Sequence, residues 1–138
     1  SALEGAPNEL SIYAMEGNWH GKGNQLRRYT LRLDGFVSVS AGWNGGQLLT
    51  RPVIFDGDQL EINFATSAAG SLRVELQYLD GTPAKGFALS DCAGLFGDSI
   101  SRRVTWKSKA DLSALAGKPV RLRFELKDAD LYSFQFKK

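Results

Sequence analysis

The chain has 138 residues, and 17 basic against 15 acidic side chains leave a net charge of +2. That length fits one domain with one real core, and that charge leaves no basic footprint for nucleic acid. One His and one Cys exclude an internal disulfide and a structural Cys/His zinc cluster, and a Ser-His-Asp triad would have to use His20.

In chain order, period two dominates, as in strands with one buried face. Glu9 to Met15 places Leu10, Ile12 and Ala14 on one side. From Gln25 the alternation sets Tyr29, Leu31 and Leu33 against Arg28, Thr30 and Arg32. Asp34-Gly35 is a hairpin dipeptide, because glycine accepts the positive φ of a tight turn, and Phe36 to Ala41 is the expected return strand. Val53 to Phe55 is short, and Asp56-Gly57-Asp58 turns. Leu60, Ile62, Phe64 and Thr66 alternate with Glu61, Asn63 and Ala65. Ala69-Gly70-Ser71 is an expected turn into Leu72, Val74, Leu76 and Tyr78, set against Arg73, Glu75 and Gln77. Asp80-Gly81-Thr82-Pro83 is a stop. Ile100, Val104 and Trp106 share a parity, which assigns Trp106 to the core. Asp111 to Ala116 is the one helical signal, with Asp111 as cap and Gly117 as terminator. Val120, Leu122, Phe124 and Leu126 alternate with Arg121, Arg123, Glu125 and Lys127, and Asp128-Ala129-Asp130 is expected to turn into Tyr132, Phe134 and Phe136.

Eight or nine strands with clean in/out alternation predict an all-β chain, a two-sheet antiparallel β-sandwich of jelly-roll type with at most one short helical turn. The expected organisation is a single sandwich domain over 1–138, with 1–8 as linker or tag remnant. No apolar run reaches the roughly 20 residues of a membrane span, and Ser1-Ala2-Leu3-Glu4-Gly5 is not a signal-peptide start. With Ser1 at the front, the chain reads as a segment of a longer protein.

Function is sought in the stretches without periodicity: Gly17 to Asn24, Gly42 to Pro52, and Asp80 to Ser99. Trp19 and Trp43 both sit among glycines and asparagines, which do not bury a large ring. An exposed indole stacks on the apolar C–H face of a sugar while nearby amides, carboxylates and guanidinium groups bond its hydroxyls. The other reading of each ring is a cap on the open end of the core. Candidate polar contacts are His20, Asn44, Arg51, Asp91 and Asp98. Asp91 and Asp98 would also serve as a carboxylate pair, although Asp in such loops usually bonds its own backbone. Asp56 with Asp58, and Asp128 with Asp130, are Asp-x-Asp pairs able to contribute to a structural Ca²⁺ site, against the ordinary role of turn chemistry. No other cofactor is expected. Arg28 with Arg32, and Arg121 with Arg123, each share a strand face and would suit an anionic polysaccharide, or a solvated face in which Glu75 and Glu125 neighbour arginines. Cys92 is expected as a small buried hydrophobe.

Three stretches carry a resemblance. They are Leu26-Arg27-Arg28-Tyr29-Thr30-Leu31-Arg32-Leu33-Asp34-Gly35-Phe36-Val37-Ser38-Val39; Trp43-Asn44-Gly45-Gly46 with Leu49-Thr50-Arg51-Pro52; and Asp111-Leu112-Ser113-Ala114-Leu115-Ala116-Gly117-Lys118-Pro119-Val120-Arg121-Leu122-Arg123-Phe124 running into Asp130-Leu131-Tyr132-Ser133-Phe134. Over roughly residues 9 to 137 the chain resembles the carbohydrate-binding-module-like β-sandwich at the C-terminal end of bacterial proteins that carry a five-bladed-propeller, glycoside hydrolase-like domain. The resemblance implies an accessory role, since the hydrolytic carboxylates of such proteins lie on the propeller.

The expectation is therefore a non-catalytic carbohydrate-binding module, not an enzyme, that targets an attached glycoside hydrolase to a polysaccharide or glycan. Its contacts would be Trp19, His20, Trp43, Asn44, Arg51, Asp91 and Asp98. The expected partners are the glycan and the attached catalytic domain, with neither nucleic acid nor membrane, and the isolated module would be a monomer. The expected location is extracellular or periplasmic, reached with the parent enzyme. One alternative is a sandwich that only buttresses a catalytic propeller. A second is a small polysaccharide-active enzyme using Asp91, Asp98 or Tyr29.

Overall fold

The computed structural model describes residues 8–17, 21, 23–107 and 111–138. The chain is all-β, with two antiparallel sheets, in keeping with a β-sandwich. It forms two units, Ser1–Phe36 and Val37–Lys138.

The first unit holds one antiparallel pair, β1 (Glu9–Glu16) and β2 (Gln25–Arg32). Arg28 bonds Glu9 and Ser11, Arg27 pairs with Glu16 at 3.1 Å, and Tyr29 donates to Glu16. These are exposed cross-strand pairs of the kind that fix a register more than they stabilise it.

Asp34-Gly35 does turn: Asp34 has φ 55, and the Gly35 N–H donates to the Arg32 carbonyl at 3.0 Å. The return strand expected over Phe36 to Ala41 does not form against β2. Only β3 (Val39–Ala41) is extended, and its partner is β7 (Arg121–Lys137), at the far end of the sequence. Local turn chemistry cannot weigh that long-range pairing.

The second unit is built on β5 (Gln59–Gln77) and β7, which pair antiparallel over most of their length. On the far edge of β7 lie β3 and β4 (Gly46–Leu49); on the far edge of β5 lies β6 (Asp98–Arg103). The structure describes seven strands, of which the five in the second unit run in the order β3-β7-β5-β6 with β4 also on β7, and they do not establish a jelly roll. Two expected turns are not turns. Ala69-Gly70-Ser71 and Asp128-Ala129-Asp130 face each other across the ladder, where the register jumps between Thr66 and Ser71. Each cluster becomes an irregularity in a strand that runs on. Asp128 takes φ 45, a conformation that aspartate tolerates better than most residues. Gly70 is needed because a Cβ there would lie 2.3 Å from the Asp128 carbonyl oxygen.

The inward face carries the expected parity: Leu60, Ile62, Phe64, Leu72, Val74 and Leu76 of β5 against Leu122, Phe124 and Leu126 of β7, all buried. Such side chains contribute roughly 1.5–3 kcal/mol each when fully buried. After the Asp128 irregularity the buried parity of β7 switches to Ala129 and Leu131, because one extra residue moves the side chains that follow to the other face, and a second irregularity at Tyr132 returns it to Phe134 and Phe136. Tyr78, expected in the core, is exposed, since β5 has ended one residue earlier. Among the described residues the single helical element is a 3₁₀ turn, Ser113–Leu115, with Asp111 Oδ1 accepting the Ser113 N–H at 2.8 Å.

Beyond β6 the open edge of β5 is closed piecemeal by an irregular segment. Leu72 exchanges two backbone bonds with Leu95, Leu76 bonds Phe87 and Ala84, and Tyr78 bonds Thr82. Between them two side chains serve Val74: its N–H donates to Cys92 Sγ at 3.3 Å, and its carbonyl accepts from Trp106 Nε1 at 2.8 Å. Cys92 and Trp106 are core residues, as expected, and they also stand in for a missing strand. Burial pushes the Cys92 thiol above its ordinary pKa, which keeps it a neutral packing group. The Trp106 indole lies fully buried, edge-on to Phe87 at 5.3 Å between ring centroids.

Trp106→Phe should orphan the buried Val74 carbonyl and leave a small void, costing about 2–4 kcal/mol. Urea unfolding checks this, as a lower midpoint at an unchanged slope.

Candidate polar groove beside Trp43

Between β3 and β4 the chain makes a turn, Gly42-Trp43-Asn44-Gly45. The Gly45 N–H donates to the Gly42 carbonyl at 2.9 Å, and the same carbonyl accepts the Asp128 N–H at 3.0 Å. The turn is thus seated against the irregularity of β7. Gly45 has φ +77, and a Cβ there would lie 3.3 Å from the Leu126 carbonyl oxygen, so only glycine fits without strain. Its position leaves Trp43 59% exposed. The Lys127 ammonium lies 4.1 Å from the ring centroid, a cation–π contact.

The residues next to the turn come from three strands. Gln47 of β4 and Arg73 of β5 are both directly opposite Glu125 of β7, and Ser71 is directly opposite Lys127. Opposed residues in an antiparallel ladder share a face. The two rows Gln47–Glu125–Arg73 and Lys127–Ser71 therefore form one polar surface, and with Asn44 they line a groove of about 490 Å³. That volume suits a small ligand or a sugar residue. Gln47 Oε1 accepts from Arg123 Nε at 3.3 Å, which leaves its amide N–H groups for the groove.

One flank of this face is more structural than the expected solvated surface. Glu75 is 4% exposed. Its carboxylate accepts from Gln77 Nε2 at 2.7 Å and from the Leu89 N–H at 2.9 Å, with Arg123 Nη1 at 3.6 Å. A buried carboxylate needs such partners, and this one pins the segment after β5 to the sheet. Arg121 is half-buried opposite Gln77.

Of the residues singled out in the sequence, Asn44 lines this groove, and Trp43 stands beside it in contact with the groove residue Lys127. Arg51, Asp91 and Asp98 do not line it. Arg51 is exposed beyond Thr50, whose backbone and hydroxyl both bond Leu122. Asp91 forms an ion pair with Lys107 and accepts its N–H on the backbone carbonyl at 2.8 Å, the turn chemistry usual for such loops. Asp98 opens β6 opposite Ala65, on the other edge of β5. Trp19 and His20 lie outside the described residues. Tyr29 belongs to the β1–β2 pair, where its hydrogen bond to Glu16 raises its pKa.

The sequence reading missed Gln47, Ser71, Arg73, Glu125 and Lys127 as groove residues. Their signal was the polar parity of β4, β5 and β7; what was lacking was the register that puts them side by side. One carboxylate of each Asp-x-Asp pair is engaged elsewhere. Asp56 pairs with Lys138 at 2.5 Å, and Asp130 accepts from Ser38 Oγ at 2.9 Å. Among the described residues no group of three or more His, Cys, Asp or Glu side chains could hold a metal ion, and no helix is long and apolar enough to cross a membrane.

No protein-family model, no curated protein and no solved structure matches this chain.

Gly45→Ala would force a side chain into the left-handed region and should cost about 1–2 kcal/mol. Thermal unfolding followed through Trp fluorescence checks it, with Gly21→Ala, where a Cβ meets open space, as the comparison for φ strain alone.

Proposed function

We propose that the chain is a non-catalytic carbohydrate-binding module whose site is the Trp43 groove. The observation that carries this reading is an exposed indole set beside a polar groove that three strands hold in shape. A pyranose places its C–H face on the ring, and its hydroxyls meet Asn44, Gln47, Ser71, Arg73 and Glu125. These groups offer both donors and acceptors, which sugar hydroxyls need on alternating sides. The rigid backbone beneath limits the ordering cost of binding.

Single sites of this kind are shallow, and their affinity gains from tethering. A module joined to a glycoside hydrolase raises the enzyme's effective concentration on a polysaccharide. A bacterial, secreted parent protein, extracellular or periplasmic, fits this role, as does the resemblance to sandwiches that accompany propeller domains.

Trp43→Ala should abolish retention on the polysaccharide that the unaltered chain binds in affinity gels or on a glycan array. The thermal midpoint should move by less than about 2 °C, because removing an exposed side chain costs little. Unchanged retention, or a collapse of stability, would sink the reading.

A second reading rests on a different observation. Val37, Ile54 and Phe96 of the second unit are each at least 70% exposed, more apolar surface than such residues usually leave in water. A sandwich that buttresses a catalytic domain would cover them. Light scattering then separates the two: self-association that Ile54→Ser with Phe96→Ser relieves favours the buttress, whereas a monomer at high concentration opposes it.

A further inference from the structure

Resting on the carbohydrate-binding reading, we infer that the Trp43 groove selects an acidic glycan, one carrying a carboxylate or sulfate on or next to the sugar that stacks on the ring. The groove holds two cations, Arg73 and Lys127, against one carboxylate, Glu125. Elsewhere in the second unit four cationic side chains are held in ion pairs: Lys107 with Asp91, Lys137 with Glu61, Lys138 with Asp56, and Arg123 with Glu75. Among the described residues Arg73 and Lys127 form no ion pair, although Glu125 lies directly opposite Arg73 and two positions from Lys127 on the same strand.

Their placement suits one shared anion. Lys127 and Arg73 are diagonal neighbours across the β5–β7 ladder, a relation that sets Cβ atoms about 7–8 Å apart on one face. Both side chains are long enough to converge on an oxyanion between those points. Arg73 then offers the planar two-donor fork that matches a carboxylate or sulfate, and Lys127 adds a point charge. Lys127 also sits over one face of the Trp43 ring, so a sugar stacks on the ring's other face, with the anion-binding charge at its edge. A sugar on Trp43 with an acidic substituent meets both at once. A neutral sugar leaves two cations side by side with one carboxylate between them. Glu125 sets the selectivity from the other side, by repelling anions placed towards Gln47.

The experiment titrates the intact chain by calorimetry with three oligosaccharides of equal length: a neutral β-glucan, an oligogalacturonate and a sulfated galactan. One acidic probe should bind at least about tenfold tighter than the neutral one, the scale of a single charge-assisted hydrogen bond, and its affinity should fall with added salt. The carboxylate and sulfate arms identify which anion is preferred. Arg73→Gln and Lys127→Gln should each weaken the acidic probe about tenfold, and more than they weaken the neutral one. Arg102→Gln, an exposed cation on β6, removes the same charge away from the groove and should leave the acidic probe's affinity as it was. Near-UV circular dichroism confirms that each variant is folded. Equal or tighter binding of the neutral probe, still lost in Trp43→Ala, overturns the charge selectivity while the carbohydrate reading stands. An equal loss in Arg102→Gln also overturns it, since the attraction would then be bulk charge. Binding of none of the probes, with a glycan array equally blank, overturns both.

Discussion

Two long strands, β5 and β7, hold each other in register through irregularities that face one another, and the second unit takes its shape from that constraint. Residues 67–70 on one strand and Asp128 on the other interrupt the ladder at the same level. The inserted residues bend both strands without separating them. Gly70 is tight against the Asp128 carbonyl, so neither irregularity stands without the other. Hydrophobic residues on both sides of the bend continue to face the same interior, and burial of that interior is the driving force that keeps the distortion in place.

The groove is a consequence of the same bend. Asp128 donates to the Gly42 carbonyl, and that carbonyl closes the turn carrying Trp43. The turn separating β3 from β4 is therefore the third strand's answer to the irregularity of its neighbour. The walls of the groove are the side chains that the register aligns on the polar face beside that irregularity.

The edge of β5 illustrates how incomplete pairing is managed. Once β6 has ended, no regular strand among the described residues covers Leu72 to Tyr78, yet the backbone groups facing that edge have partners in Leu95, Cys92, Trp106, Phe87, Ala84 and Thr82. A buried backbone donor or acceptor without a partner is costly. This is why the long segment after Asp80 looks irregular in sequence and is nevertheless closely held. Its aspartates and its cysteine are spent on structure, and the segment contributes none of the residues that line the groove.

The sequence by itself determined the all-β class, the inward residues of β5 and β7, and the core roles of Trp106 and Cys92, and it left Trp43 open between an exposed ring and a cap on the core. The first of these follow from local physics, namely period-two burial. It misassigned Phe36 to Ala41 and the two clusters that became bends, because turn residues report what the backbone tolerates and not whether a strand partner lies opposite. Only the tertiary structure decided that Gln47, Glu125 and Arg73 form a row, that Lys127 reaches Trp43, and that Asp91 and Asp98 lie outside the groove. These are matters of register between residues far apart in the chain. A shift of one residue would have sent each of those side chains to the opposite face.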